Sequence, residues 1–223
     1  MNRPRDCGAP LTLTPTRRAL LTGAAGSLLA SSIARGASPD LAWDSPADRR
    51  QNAREIALAS DPVLGNAAGD VTLVDFFDLQ CPACRAMEPR FDRLMAADHG
   101  LRIVPIDYPI FGPRSRLGSR ALLAAQSLGA YDELRTRLLS SFGPLTELRI
   151  KSAAISLGLD WDRLQALMVS PAIAARVEAN LARGRALGVK RLPFMILGTI
   201  RIPGELHYAD MLDLVNAARR HQN

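Results

Sequence analysis

The sequence predicts an α/β fold whose single sheet comes from two separated pieces, βαβ early and ββα late, with a helical subdomain inserted between them. Three observations predict it. Val71 to Phe77 and residues 101–110 are apolar, β-rich runs on either side of a segment with helical periodicity. Residues 114–188 read as helix almost throughout. Finally, "RLPFMILGTIRIPG" reads as two short strands turning at Leu197 to Thr199, ahead of the amphipathic "ELHYADMLDLVNAARR".

The first forty residues read as an address. "TPTRRALLTGAAGSLLASSIARGAS" places Arg17 and Arg18 before an uncharged stretch from Ala19 to Ile33, rich in Ala, Gly, Ser and Leu. A basic region, a short apolar region and small residues beyond it make a bacterial export signal over residues 1–36. The paired arginines and weak hydrophobicity resemble a twin-arginine signal; a Sec-type signal is the alternative. Cleavage after Ala34 or after Gly36 is equally compatible with the residues. No apolar run reaches the roughly 18–20 residues that span a bilayer.

Export to the periplasm has two consequences. Removing residues 1–34 takes four Arg and one Asp from the 28 basic and 22 acidic residues, leaving 24 and 21. The pI of 9.9 therefore partly reflects the signal. With no basic run interleaved with aromatics, no nucleic-acid partner is expected. Cleavage also removes Cys7, so Cys81 and Cys84 become the only thiols in an oxidising compartment.

Residues 37–62 are expected to form a polar leader and a short helix over 46–59, capped by Ser45, with Pro46 at its first position. Ile56 and Leu58 supply too little heptad pattern for a coiled coil, so the oligomeric state stays open. The main domain is then 63–223. "GNAAGD" reads as a loop, and Val71 to Phe77 as a strand buried on both faces. From Pro82, Met87, Phe91, Leu94 and Met95 fall on one helical face, and Pro89 predicts a kink. "LRIVPIDYPI" is the second strand, making a right-handed parallel unit. The insertion divides into 115–128, 131–142, 146–157, 160–168 and 171–187, with Thr146 and Asp160 as N-caps.

The chemistry concentrates in "CPAC". A cysteine where a strand gives way to a helix meets the positive end of the helix dipole and unpaired backbone N–H groups, and both favour thiolate. Cys81 has that position, and Pro82 suits the first helical residue. Cys84 lies one turn on, within disulfide reach. Cys81 is expected to be the exposed attacking sulfur and Cys84 the shielded resolving one. A metal site would need about four ligands; there is no second CxxC, and His99, His207 and His221 do not flank the motif. A purely structural disulfide would close a loop too small to constrain the unfolded chain much. No cofactor is called for, because electrons pass through the dithiol itself.

Asp75 lies six residues before Cys81, inside the apolar strand. A buried carboxylate costs several kcal/mol unless paired or protonated. A functional reason for it is to accept the Cys84 proton when a mixed disulfide resolves; a solvated acid on an edge strand is the alternative. Asp78, nearer the surface by pattern, reads as a plain loop acid.

"VTLVDFFDLQCPAC" resembles the active-site segment of the thioredoxin-fold disulfide oxidoreductases, in which an acid stands at the place of Asp75 and CxxC opens the first helix. The helical insertion resembles the DsbA branch. Within that branch "IDYPIFGPRSRLGSRALLAAQ", "LGLDWDRLQALM" and "LGVKRLP…IPG" look most like the Com1/ScsC-type periplasmic proteins, over about residues 50–220. The resemblance implies that Pro193 is a cis-proline facing the dithiol. The strand it opens would then leave a backbone edge for a substrate peptide. Pro82, Ala83, Leu192 and Phe194 are the substrate-contact candidates beside these groups. Two departures stand out: Arg191-Leu192 replaces the usual small-polar pair before the proline, and Ala83 stands where strongly oxidising members carry His. Arg191 reads as a solvent-facing charge, with a positive charge supplied near Cys81 as the alternative. Without the imidazole, an intermediate redox potential is expected.

The function implied is an exported protein disulfide oxidoreductase that acts on cysteine-containing exported proteins and is served by a membrane redox partner. Oxidase, isomerase and reductase directions remain open. A Cu(I)-binding thiol protein linked to metal tolerance and a glutathione-dependent transferase are the competing classes.

Overall fold

A computed structural model describes residues 51–220. The export segment and Cys7 lie outside the described residues. So does most of the proposed leader, including Ser45 and Pro46. What is described of the first helix is one turn, α1 (Ala53–Ile56), and its cap is Asn52. The Asn52 side chain takes the Arg54 N–H at 3.0 Å, and Glu55 reaches back to the Asn52 N–H at 3.1 Å.

The elements that follow are β1 (Leu64–Gly65), β2 (Val71–Phe77), α2 (Pro82–Ala97) and β3 (Leu101–Asp107). The insertion comprises α3 (Pro113–Gln126), α4 (Tyr131–Ser140), α5 (Glu147–Ser156), α6 (Trp161–Met168) and α7 (Pro171–Ala186). The chain closes with β4 (Phe194–Leu197), β5 (Ile200–Pro203) and α8 (Tyr208–Arg220). The sheet order is β1-β3-β2-β4-β5, with β2 and β3 parallel and the other pairs antiparallel. The expected βαβ, helical insertion and ββα are all present. β1 takes in Gly65, the first residue of the expected loop: two residues carry no alternation to detect, and pairing with Arg102 and Ile103 creates the strand. α2 runs through Pro89 to Ala97 as one element.

β2 lies inside the sheet and every one of its residues is buried, which explains its unbroken apolar run. Alternate residues face two cores. Val71 and Leu73 pack with Met87, Phe91 and Leu94 of α2 and with Met211 and Val215 of α8. Val74 and Phe76 face a larger cluster drawn mainly from the insertion. Asp75 has the parity of Val71 and Leu73, which turns it toward the α2 side.

Two close approaches set how the insertion sits. A Cβ on Gly184 of α7 would lie 2.2 Å from the Tyr108 ring, and one on Gly118 of α3 would lie 2.3 Å from Leu145 and 2.6 Å from Leu79. Neither position has room for a side chain. The first lets α7 rest on the end of β3; the second brings α3 against the segment that leads into the cysteines.

Candidate active site

Cys81 is the N-cap of α2, with Pro82 at the first helical position. Its sulfur accepts the Cys84 backbone N–H at 3.3 Å and lies 3.8 Å from the Leu192 carbonyl oxygen. Both cysteines are free thiols, each 3% exposed. The expectation of an exposed Cys81 and a shielded Cys84 is therefore corrected: the loop carrying Leu192 covers Cys81, so exposure does not distinguish the two sulfurs.

Electrostatics does. The Cys84 thiol donates a hydrogen bond to Cys81, the backbone N–H groups of Cys84 and Ala83 add to it, and together they bring Cys81 down to about 7. Burial and the Asp78 carboxylate oppose this. Cys84 moves far the other way, because its proton is held by Cys81, its thiol is buried and Asp75 is negative nearby. The pair is thus divided into a ready thiolate and a held thiol.

Asp75 is 1% exposed and pairs through its backbone with Pro105 of β3 and Met195 of β4, so it is not an edge-strand acid. Burial pushes its carboxyl up to about 7. Glu88 and Cys81 push the same way, while Arg135 opposes them. Asp75 Oδ1 makes no hydrogen bond among the described residues, and Oδ2 lies 3.9 Å from Arg135 Nη2.

The peptide bond between Leu192 and Pro193 is cis. The Pro193 carbonyl is already taken by the Gly204 N–H at 2.8 Å, so the backbone edge beside Cys81 is that of Arg191 and Leu192. Arg191 is exposed, as expected. Pro82 is exposed and Ala83 half-buried. Phe194 does not join this surface. It is buried, packs edge-on against Phe76 at 6.5 Å, and is paired with Phe76 on one side and Pro203 on the other.

Asp78 also needs correction. It is 2% exposed, and its carboxylate accepts N–H groups from Gln80 at 2.8 Å, Ile110 at 2.9 Å and Phe111 at 3.2 Å. It therefore fixes the loop before Cys81 to the loop after β3. Arg85 does similar work on the other side, donating to the carbonyls of Leu79 at 2.7 Å, Leu139 at 2.9 Å and Ser141 at 2.5 Å. A cation at the C-terminal end of α4 also complements the helix dipole.

Four further residues are not site candidates by sequence: Arg135, Glu88, Tyr131 and Asp107. Arg135 of α4 is 2% exposed and holds Glu88 of α2 in a two-pronged pair at 2.5 and 2.6 Å, with its guanidinium 4.7 Å from the Phe77 ring centre. Tyr131, one turn earlier on α4, donates to Asp107 at 2.9 Å. Burial pushes Asp107 up to about 7. Glu88 was detectable, since it falls four residues after Cys84 on the same helical face. Arg135 was a charge on an apolar face, four residues after Tyr131.

A dithiol at the start of α2, a buried acid beneath it and a cis-proline loop above it define the thioredoxin class, here with a helical insertion. Residues 72–216 match the DSBA-like thioredoxin domain, and the chain belongs to that family. Among solved structures it resembles a thioredoxin-like oxidoreductase from Silicibacter pomeroyi, with 33% identity over 74% of this chain and 95% of that one and a TM-score of 0.71. The catalytic domain of Proteus mirabilis ScsC shares the fold at 22% identity, covering 73% and 91% of the two chains, with a TM-score of 0.66. So does the thiol-disulfide exchange protein α-DsbA2 of Wolbachia pipientis, at 24% identity over 71% and 87%, with a TM-score of 0.67. Among curated proteins, a Na(+)/H(+) antiporter NhaA of Herminiimonas arsenicoxydans is 28% identical over 72% of this chain. The chain spans only 26% of that relative's length. Among the described residues no helix is long and apolar enough to cross a membrane.

Proposed function

We propose that this chain is an exported thiol–disulfide oxidoreductase acting on cysteine-containing proteins through Cys81 and Cys84. The observation that carries the reading is the division of the pair: Cys81 caps α2 and is lowered to about 7, while Cys84 is held protonated beside Asp75. In the reducing direction the Cys81 thiolate attacks a substrate disulfide, forming a mixed disulfide and releasing one substrate thiolate. Cys84 then gives its proton to Asp75 and attacks the Cys81 sulfur. The Cys81–Cys84 bond forms and the second substrate thiolate leaves. Oxidation of a substrate is the same sequence reversed. The edge at Arg191 and Leu192 is the place for the substrate backbone.

The twin-arginine-like segment supports delivery to the periplasm, where a membrane redox partner would reset the dithiol. Ala83 in place of histidine supports a potential between roughly −120 and −270 mV, and a Cys81 value of about 7, at the upper end of the CxxC range, argues for the more reducing side of that interval. Purified protein would be compared in reductase, oxidase and scrambled-disulfide assays, which separates the three directions. A Cys84→Ala variant expressed in the periplasm is expected to accumulate mixed disulfides through Cys81. If it captures none, while the same variant still reacts with a small aromatic disulfide, the resolving role of Cys84 is wrong.

A further inference from the structure

Asp75 is an unusual base. Among the described residues it has one unpartnered oxygen, no hydrogen bond holding it as carboxylate, and a single cation 3.9 Å away. That cation belongs neither to the sheet nor to the cysteine helix. It is Arg135 of α4, in the insertion, and its two terminal nitrogens are committed to Glu88 at 2.5 and 2.6 Å. Arg135 is thus shared unequally, with full hydrogen bonds to Glu88 and only a Coulombic attraction to Asp75.

We propose that Arg135 is the positioning residue that keeps Asp75 available to take the Cys84 proton, and that Glu88 sets how much of the Arg135 charge Asp75 feels. This rests on the oxidoreductase reading above. The charge balance supports it. Asp75 faces Cys81, Cys84 and Glu88 of α2 and Arg135 and Tyr131 of α4, while its strand neighbours Pro105 and Met195 carry no charge. Asp107, two residues beyond Pro105, is occupied by Tyr131. Among the described residues, only Arg135 favours the carboxylate. Without it, Asp75 would hold its proton through the working range and could not accept the one from Cys84.

Glu88 acts in the opposite sense. Its negative charge raises Asp75 directly and also draws Arg135 away from it. Its side chain is 14% exposed against 2% for Asp75 and Arg135, so it is the member of the trio open to water. Removing Arg135 and removing Glu88 should therefore shift Asp75 in opposite directions, which a merely structural role would not do.

The test uses the reduced full chain carrying Cys7→Ser, so that Cys81 and Cys84 are its only thiols, and dithiobis(nitrobenzoate), one equivalent, in single turnover. Attack by Cys81 releases a first coloured thiolate. Closure of the Cys81–Cys84 disulfide releases a second, and the pH dependence of that second phase reads proton removal from Cys84. Arg135→Met is expected to move its inflection up by about one unit or more, and Glu88→Gln to move it down by about one unit. Arg135→Lys, which keeps the charge, should stay near the parent. If Arg135→Met does not fold, the other two variants decide. An unmoved inflection in Glu88→Gln, or one displaced upward, overturns the proposal. Absence of the first phase in the parent protein would instead overturn the oxidoreductase reading itself.

Discussion

Replacing Asp75 with asparagine should stabilise the reduced protein, increasingly so as pH rises. The folded carboxyl titrates at about 7 against an ordinary 3.8. A group raised in this way contributes its full share of stability below pH 3.8 and loses it as pH climbs to 7. A gap of about 3 units corresponds to about 4 kcal/mol in total. Integrating the linkage, about 1.5 kcal/mol is already lost at pH 5 and about 2.5 more disappears by pH 8. Asparagine fits the same space without a proton to lose, and Glu88 still holds both terminal nitrogens of Arg135. Asp107 titrates in both proteins, so its contribution largely cancels in the comparison. Urea unfolding of reduced parent and Asp75→Asn at pH 5 and pH 8 should show the variant's advantage growing by about 2.5 kcal/mol. In thermal melts this is a relative Tm gain of about 5–10 °C. An advantage unchanged between the two pH values would refute the assignment of Asp75 as a buried acid titrating near neutrality. The same variant should resolve mixed disulfides more slowly, making the acid a group kept for chemistry at the expense of stability.

Thiolate absorbance of the reduced protein should titrate near pH 7 for Cys81, and Cys84→Ala should move that titration upward, because the Cys84 thiol is the leading cause of the lowered value. Tyr131→Phe removes the phenol's hydrogen bond to Asp107 and should cost about 1–3 kcal/mol in chemical denaturation. That loss should be greater above pH 7 than below it, since the carboxylate form suffers most. Gly184→Ala would gain about 1 kcal/mol of helix propensity on an exposed helix. Against the Tyr108 ring it should instead destabilise by about 1–3 kcal/mol, seen as a lower Tm.

Much of this was legible in the residues because the long elements carry periodic patterns. β2, α2, β3 and the five helices of the insertion stand where apolar spacing and the breaks at Gly129, Gly143-Pro144, Gly158 and Ser170-Pro171 put them. The helix expected over 46–59 is described only at Ala53–Ile56, where the Asn52 capping box closes a single turn; β1 was beyond such reading, because two residues hold too little pattern and pairing with β3 defines it. The site divides in the same way. Cys81, Cys84 and Asp75 announce themselves through local spacing. The burial of Cys81 depends on the Leu192 carbonyl 111 residues away, and that of Asp78 on N–H groups 32 and 33 residues away. No local pattern carries such information. Arg135 reads as an anomaly on an apolar face until α4 is docked against α2.

That docking changes what the insertion is for. Its α4 meets the thioredoxin core through three polar links: Arg85 on the carbonyls at the end of α4, Arg135 on Glu88 and Asp75, and Tyr131 on Asp107. Each link joins the insertion to a group within the cysteine helix or at the C-terminal ends of the two parallel strands. A core stripped of α4 would keep Asp75, Glu88 and Asp107 but lose the guanidinium and the phenol that face them. Those three carboxyls would then lose the α4 partners that favour their charged forms, with Ser119 and Arg176 left beside Asp107. The insertion therefore completes the electrostatics of the cysteine site as well as enlarging the fold, and Asp75 depends on α4 as much as on the strand that carries it.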